Sequence, residues 1–324
     1  MKKKIDQIEI LPPINQLNLY GYKSYFDLFF NLFNKGKFPN RIIFSGQKGI
    51  GKATFTYHLI NYLLSINEKT KYSLSNYSID DTNATYKKMI NNIHPNFFLL
   101  DTIINDSQIK IEQTRDLLKF LNKSTYLNNI KIVLIDNAEY LNLNSSNALL
   151  KAIEEAEKNT FFFIIHNNSY KMLDTIKSRC LKFKIFFNSL DKKNIFQNLA
   201  HQYNFEYNID DLDDFFHLDS PGNIIKYSLD LSNNNINLKN NYLNCIFYFI
   251  DKYLNEKNPD TLNFTCLFIE KFYKDLYIKN KNLIGSYSNN KQKILTQIRN
   301  MKKFNLNEKN TYSWMRDILL NEAR

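Results

Sequence analysis

Glycine is scarce in this chain. It has seven in 324 residues, and three of them, Gly46, Gly49 and Gly51, fall within six consecutive positions. Arginine is scarcer still, so the net charge of +11 is carried overwhelmingly by lysine. Lys, Asn, Ile, Phe and Tyr are abundant together, and the charge therefore reads equally as steering toward a polyanion or as the background an A/T-rich coding sequence writes. The three cysteines, Cys180, Cys245 and Cys266, are odd in number and widely spaced. That argues against a disulfide framework and against a zinc knuckle, and a reducing compartment is expected. No apolar run approaches membrane-spanning length, and the basic stretch MKKKIDQIEILPP breaks at Pro12-Pro13 before an apolar signal region develops. A cytoplasmic protein with no membrane partner is the expectation. Hydrophobic residues make up 44% of the chain, enough to build the cores of two or three domains.

What is present is a regular alternation. Short apolar runs, RIIFS (41 to 45), FFLLD (97 to 101), KIVLID (131 to 136), FFFIIH (161 to 166) and LKFKIFF (181 to 187), alternate with helical patterns. Phe55, Leu59 and Leu63 recur at four-residue spacing, and Leu149, Leu150 and Ile153 share a helical face. Strand and helix in repetition predict an α/β fold, a parallel sheet covered by helices on both faces. From about residue 189 the strand signals stop. SPGNIIKYSL (220 to 229) reads as a helix start with Ser220 as cap and Pro221 in the first turn, and the remainder reads as amphipathic helices.

The clustered glycines sit in GQKGIGKAT (46 to 54), between a predicted strand and a predicted helix. In that context backbone N–H groups can cradle phosphates at a helix N-terminus, and Lys52 completes the GxxxxGK pattern. The next position normally supplies a hydroxyl to the magnesium that bridges the outer phosphates, and here it is Ala53. Thr54 lies one residue further, rotated by about 100° on a helix, and points away. The strand IVLID ends in Asp136, placed like the acid that holds magnesium through water. Asn137 follows where a hydrolytic site has a glutamate, and an amide cannot take a proton from the attacking water. Both losses favour a pocket that holds nucleotide without turning it over.

The run from Asp136 through NSSNALLKAIEEAEKNTFFFIIHNNSYKMLDTIKSRCLKF resembles the core of AAA+ clamp-loader subunits, those of bacterial DNA polymerase III and replication factor C alike. The family's N-A-L-L-K-x-[IL]-E-E helix is matched by Asn147 to Glu155. Its sensor strand is matched by FFFIIHN with Asn167 at the polar sensor position, and its Ser-Arg-Cys signature by Ser178, Arg179 and Cys180. IHPNFFLLD (93 to 101) and IKIEQTRDLLKFL (109 to 121) look like further elements of the bacterial subunits. An eroded loop beside an intact Ser-Arg-Cys resembles the delta-prime class of that family. The four-cysteine zinc module of many relatives is absent from residues 73 to 92, so no metal is expected. Asn223 stands near where a second sensor arginine would be.

The resemblance implies a AAA+ P-loop domain over 1–188, a small helical lid over 189–232 and a helical oligomerisation collar over 233–324. It implies a nucleotide pocket of Gly46, Gly49, Gly51, Lys52, Asp136 and Asn167, with ATP or ADP bound at most without hydrolysis. Arg179 is implied to act as an arginine finger on a neighbour's γ-phosphate. Its planar fork binds phosphate oxygens bidentately and keeps its charge at all physiological pH values. Cys180 is given a packing role. No intrinsic enzyme activity is expected, only membership of a polymerase holoenzyme. The implied partners are gamma/tau-like and delta-like subunits and, through the complex, the sliding clamp and primed DNA. Two other readings stay open: an active ATP-hydrolysing subunit of the same assembly, and a DNA-binding initiator or helicase loader. The second draws on the nine basic residues and single acid, Asp275, between Lys271 and Lys303.

Overall fold

The structure is a computed structural model that describes residues 9–102, 108–124, 130–238 and 242–323. Most of the basic N-terminal stretch falls outside them. The described residues group into two compact units, Glu9–Ile225 and the residues from Lys226 onward.

The first unit is built on five parallel strands: β1 (Arg41–Gly46), β2 (Phe97–Leu100), β3 (Lys131–Ile135), β4 (Thr160–Asn167) and β5 (Leu181–Lys184). Their order in the sheet is β2-β3-β4-β1-β5. Successive side chains on a strand point to opposite faces, so each run of buried residues feeds two cores. Ile42, Phe44, Ile132, Leu134, Phe163 and Ile165 face one side, where Phe26 and Phe29 of α1 (Lys23–Asn34) and Phe55 and Leu59 of α2 (Lys52–Leu64) pack. Ile43, Val133, Ile135, Phe162 and Ile164 face the other, against Leu117 of α4 (Ile111–Leu121) and Leu149 and Ile153 of α5 (Leu143–Glu155). A sheet buried on both faces explains why the strands read as continuous apolar runs. The unit also contains α3 (Ala84–Ile90), α6 (Asp174–Lys177), α7 (Ser189–Gln202) and α8 (Asp213–Leu218).

Two details follow from backbone hydrogen bonding. Lys131 lies inside β3 yet is only 3% exposed. Its ammonium donates to the carbonyls of Leu121, at 2.5 Å, and Lys123 at the end of α4, where helix carbonyls lack intrahelical partners and the dipole favours a cation. Gln113, in the IKIEQTR run, accepts from the Lys110 N–H at 2.9 Å and donates to the Asp101 carbonyl at 2.7 Å. It thereby caps α4 and ties it to the end of β2.

Helix α9 (Pro221–Asn233) begins where the Ser-Pro-Gly run predicts, with Asn223 N–H donating to Ser220 Oγ at 3.4 Å. The division between the two units falls inside it. The second unit is helical: α10 (Tyr242–Glu256), α11 (Pro259–Lys279), α12 (Ile284–Phe304) and α13 (Glu308–Glu322). Its core includes Phe249 stacked on Phe268 with ring centres 5.5 Å apart, and the buried Tyr273, Ile294 and Met315. Lys271, part of the basic run, is 2% exposed, with its ammonium 5.7 Å from the centre of the Tyr242 ring. One of the nine cations therefore belongs to the core and not to a solvated face. No helix of the described residues is long and apolar enough to cross a membrane.

Candidate nucleotide loop and exposed arginine

The loop leaves β1 at Gly46 and enters α2 at Lys52, with Gly51 as the N-terminal cap. It lies at the carboxyl end of β1, where the strand order reverses between β4 and β5, the position at which open α/β sheets form a ligand crevice. Register sets Gly46 opposite Asn167 at the end of β4. The candidate residues Gly46, Gly49, Gly51, Lys52, Asp136 and Asn167 are thus gathered at the carboxyl end of the sheet.

The loop is engaged with its own chain. Lys52 is 6% exposed, and its ammonium donates to the carbonyls of Gly46 at 2.9 Å and Gln47 at 2.8 Å. Burial lowers its pKa to about 8 against the opposing pull of Asp136 and Glu139. The start of α9 closes on the same loop: Gly222 N–H donates to the Gly49 carbonyl at 3.0 Å. A Cβ on Gly222 would lie 2.4 Å from that carbonyl oxygen, and one on Gly49 (φ +77°) would lie 2.4 Å from Ser220 Oγ. Asp219 is 8% exposed and gathers three donors, Gln47 Nε2 at 3.2 Å, Asn223 Nδ2 at 2.9 Å and Ser220 N–H at 2.7 Å. Burial raises its pKa despite these bonds. Asn223 therefore sits at the loop, but as part of a protein-to-protein joint.

On the acid side, burial is the main cause that pushes Asp136 up to about 7, with the Asp101 charge as the second. Asn137, in the left-handed region at φ +53°, donates its backbone N–H to Asp136 Oδ1 at 2.8 Å and its side-chain amide to Asp101 Oδ1 at 2.8 Å. The position of the water-activating glutamate is thus bound to a neighbouring carboxylate. Glu139 Oε2 accepts from Asn167 N–H at 3.2 Å. Asp101, Glu139 and Asp219 were not singled out from the sequence. Asp101 ends an apolar run just as Asp136 does, which was the available signal; Asp219 carried none beyond its place beside Ser220. No cluster of three or more His, Cys, Asp or Glu is arranged to hold a metal among the described residues.

A raised Asp136 makes a pH-dependent prediction. The folded state favours the protonated acid, so stability is lost as pH rises from about 4 through about 7 and the buried group ionises. Asp136→Asn keeps an acceptor for Asn137 and never ionises. Its melting temperature should match wild type near pH 3, below the unfolded pKa, and exceed it at pH 8, by a free energy of at most about 4 kcal/mol. Thermal melts at both pH values check this, and equal stability at pH 8 would refute the buried-acid assignment.

Arg179 is elsewhere. It follows α6, two residues before β5, and Leu181 of β5 pairs with Ile42 at the start of β1. Arg179 therefore lies beyond the amino end of β5, at the opposite strand end from Gly46. Its side chain is exposed; Nε donates to Glu154, and Nη1 donates to the Thr175 carbonyl at 3.0 Å and to Ser178 Oγ at 3.3 Å. Ser178 caps the end of α6 and also donates to Thr175 at 3.0 Å. Cys180 is half-buried against the α4 and α5 core, and burial raises its thiol to about 11, which leaves it a packing group. The sequence-predicted residues thus form two groups at opposite strand ends.

A family model described as "DNA polymerase III, delta subunit" matches residues 21–188. DNA polymerase III subunit delta' of Pseudomonas aeruginosa is 38% identical over 89 residues, 28% of this chain and 27% of that protein. DNA polymerase III subunit gamma of Buchnera aphidicola subsp. Schizaphis graminum is 29% identical over 231 residues, 68% of this chain and 60% of that protein. Subunit delta' of the same organism is 28% identical over 156 residues, 48% of this chain and 45% of that protein. The chain thus spans between about a quarter and three fifths of the length of these relatives.

Proposed function

Because the chain belongs to the DNA polymerase III delta-subunit family and is delta-prime-like, we propose that it is a non-hydrolysing subunit of a replicative clamp loader, lending Arg179 to the ATP of a neighbouring subunit. One observation carries the reading: the arginine of the Ser-Arg-Cys motif lies at the strand end opposite its own loop, away from any nucleotide held there. The loop itself is occupied in a different way. Lys52 is bonded to loop carbonyls, Gly49 is closed against Gly222, and Asn137 is held by Asp101. ATP or ADP, where it binds, must draw Lys52 from those carbonyls, and Ala53 and Asn137 then leave magnesium and water unattended. The proposed partners are gamma/tau-like and delta-like subunits, with the sliding clamp and primed DNA reached through the complex. The proposed division is a AAA+ domain over 1–188, a lid over 189–232 and a collar over 233–324 through which the subunits meet.

The gamma relative, aligned over 68% of this chain, supports a second reading as an ATP-hydrolysing subunit. Turnover by the isolated chain separates the two. The purified protein should show no magnesium-dependent ATP hydrolysis above background. Hydrolysis that disappears with Lys52→Ala would replace the first reading by the second.

A further inference from the structure

The finger proposal leaves open how an exposed arginine is aimed. A free arginine side chain populates many rotamers, and fixing it for one phosphate costs rotamer entropy at the moment of reaction. Arg179 is not free. Its Nε is bonded to Glu154, and Nη1 is shared between the Thr175 carbonyl and Ser178 Oγ, which leaves Nη2 without a hydrogen bond among the described residues. A guanidinium can grip a phosphate along its Nε–Nη2 side or across its Nη1–Nη2 end. With Nε and Nη1 both engaged, Nη2 is the donor group offered outward. The two acids that close α5 have different duties: Glu155 pairs with Lys151 one helical turn back at 3.9 Å, whereas Glu154 turns to the α6–β5 connection. Both members of the Glu154–Arg179 pair keep solvent access, at 51% and 37% of their side-chain surface. Such a pair contributes little to stability, so its value lies in orientation.

We propose that Glu154 is a positioning residue, which rests on the finger reading above: it holds Arg179 by Nε so that the free Nη2 meets the neighbour's γ-phosphate. The oxygen that accepts from Nε is what matters, and a neutral acceptor of the same length performs the same service. The negative charge is incidental, and near a triphosphate it is unfavourable.

The test uses the assembled loader with full-length chains, measuring kcat and KM for ATP with clamp and primed DNA present. Glu154→Ala should lower kcat about threefold, the scale of a lost exposed charge-assisted hydrogen bond, with KM for ATP unchanged. Glu154→Gln, which keeps Oε1 as an acceptor for Nε–H, should restore kcat to wild type or above. Thermal melts of the isolated chain should show both variants as stable as wild type. If glutamine falls as far as alanine, orientation by the acceptor is wrong. If Glu154→Ala works normally while Arg179→Ala is impaired, Glu154 has no part in the finger. If Arg179→Ala is also normal, the finger reading itself fails and takes this proposal with it.

Discussion

Alanine at Gly222 is expected to lower the stability of the first unit by roughly 2–3 kcal/mol. The added Cβ would lie 2.4 Å from the Gly49 carbonyl oxygen, and a backbone atom cannot swing aside as a side-chain tip can. Relieving the clash separates α9 from the loop and breaks the Gly222 N–H to Gly49 bond, worth about 1 kcal/mol, on top of overpacking of about 1–3 kcal/mol. Alanine's better helix propensity returns less than about 1 kcal/mol. Gly285, near the start of α12, is the control, since a Cβ there meets nothing within 4 Å. Gly285→Ala should leave stability unchanged or raise it slightly. On heating, Gly222→Ala should melt several degrees below wild type, at roughly 2–4 °C per kcal/mol for a unit of this size. Two variants that melt alike would show that the loop and α9 are not joined as described.

That joint marks the limit of what could be read from sequence. Gly49 was legible as one of the clustered glycines of a strand-to-helix loop, and its backbone there is left-handed, at φ +77°. The groups that a side chain there would meet, Ser220 Oγ and Asn223 Oδ1, belong to a segment far away in the sequence, and no local pattern announces such a contact. The five strands were legible because a sheet buried on both faces writes uninterrupted apolar runs. Asp136 was legible because it ends one of them. The role of Asn137 was legible only as a loss: the sequence shows that no glutamate is there, and the fold shows the amide engaged with Asp101. Lysines misled most. Lys131 and Lys271 count as surface charge in any composition-based reading, yet both are buried, one on the open carbonyls ending α4 and the other beside Tyr242. Chemistry of the side chain sets such outcomes less than the stem length that lets an ammonium reach a partner.

Arg179→Ala is expected to leave the isolated chain folded and able to assemble, because its side chain is exposed and its neighbours are surface groups. On the proposed reading, in the assembled loader it should remove the finger from one ATP site. Arginine fingers in GTPases contribute about 10³- to 10⁵-fold, which sets the ceiling at that site. The loss for the whole assembly should be smaller if, as the clamp-loader reading implies, other subunits supply fingers to its other sites. Arg179→Lys separates geometry from charge: it retains the cation and loses the fork, so it should rescue poorly. A lysine variant with wild-type turnover would reduce the role of Arg179 to electrostatics alone.

The central claim is that this chain acts through Arg179 and not through its own loop. It is tested most directly by clamp- and DNA-stimulated ATP hydrolysis of the assembled loader carrying either Arg179→Ala or Lys52→Ala in this subunit, measured side by side. The expected result is reduced turnover with Arg179→Ala and wild-type turnover with Lys52→Ala. Normal turnover with Arg179→Ala together with failure of the Lys52→Ala assembly would reverse the two assignments.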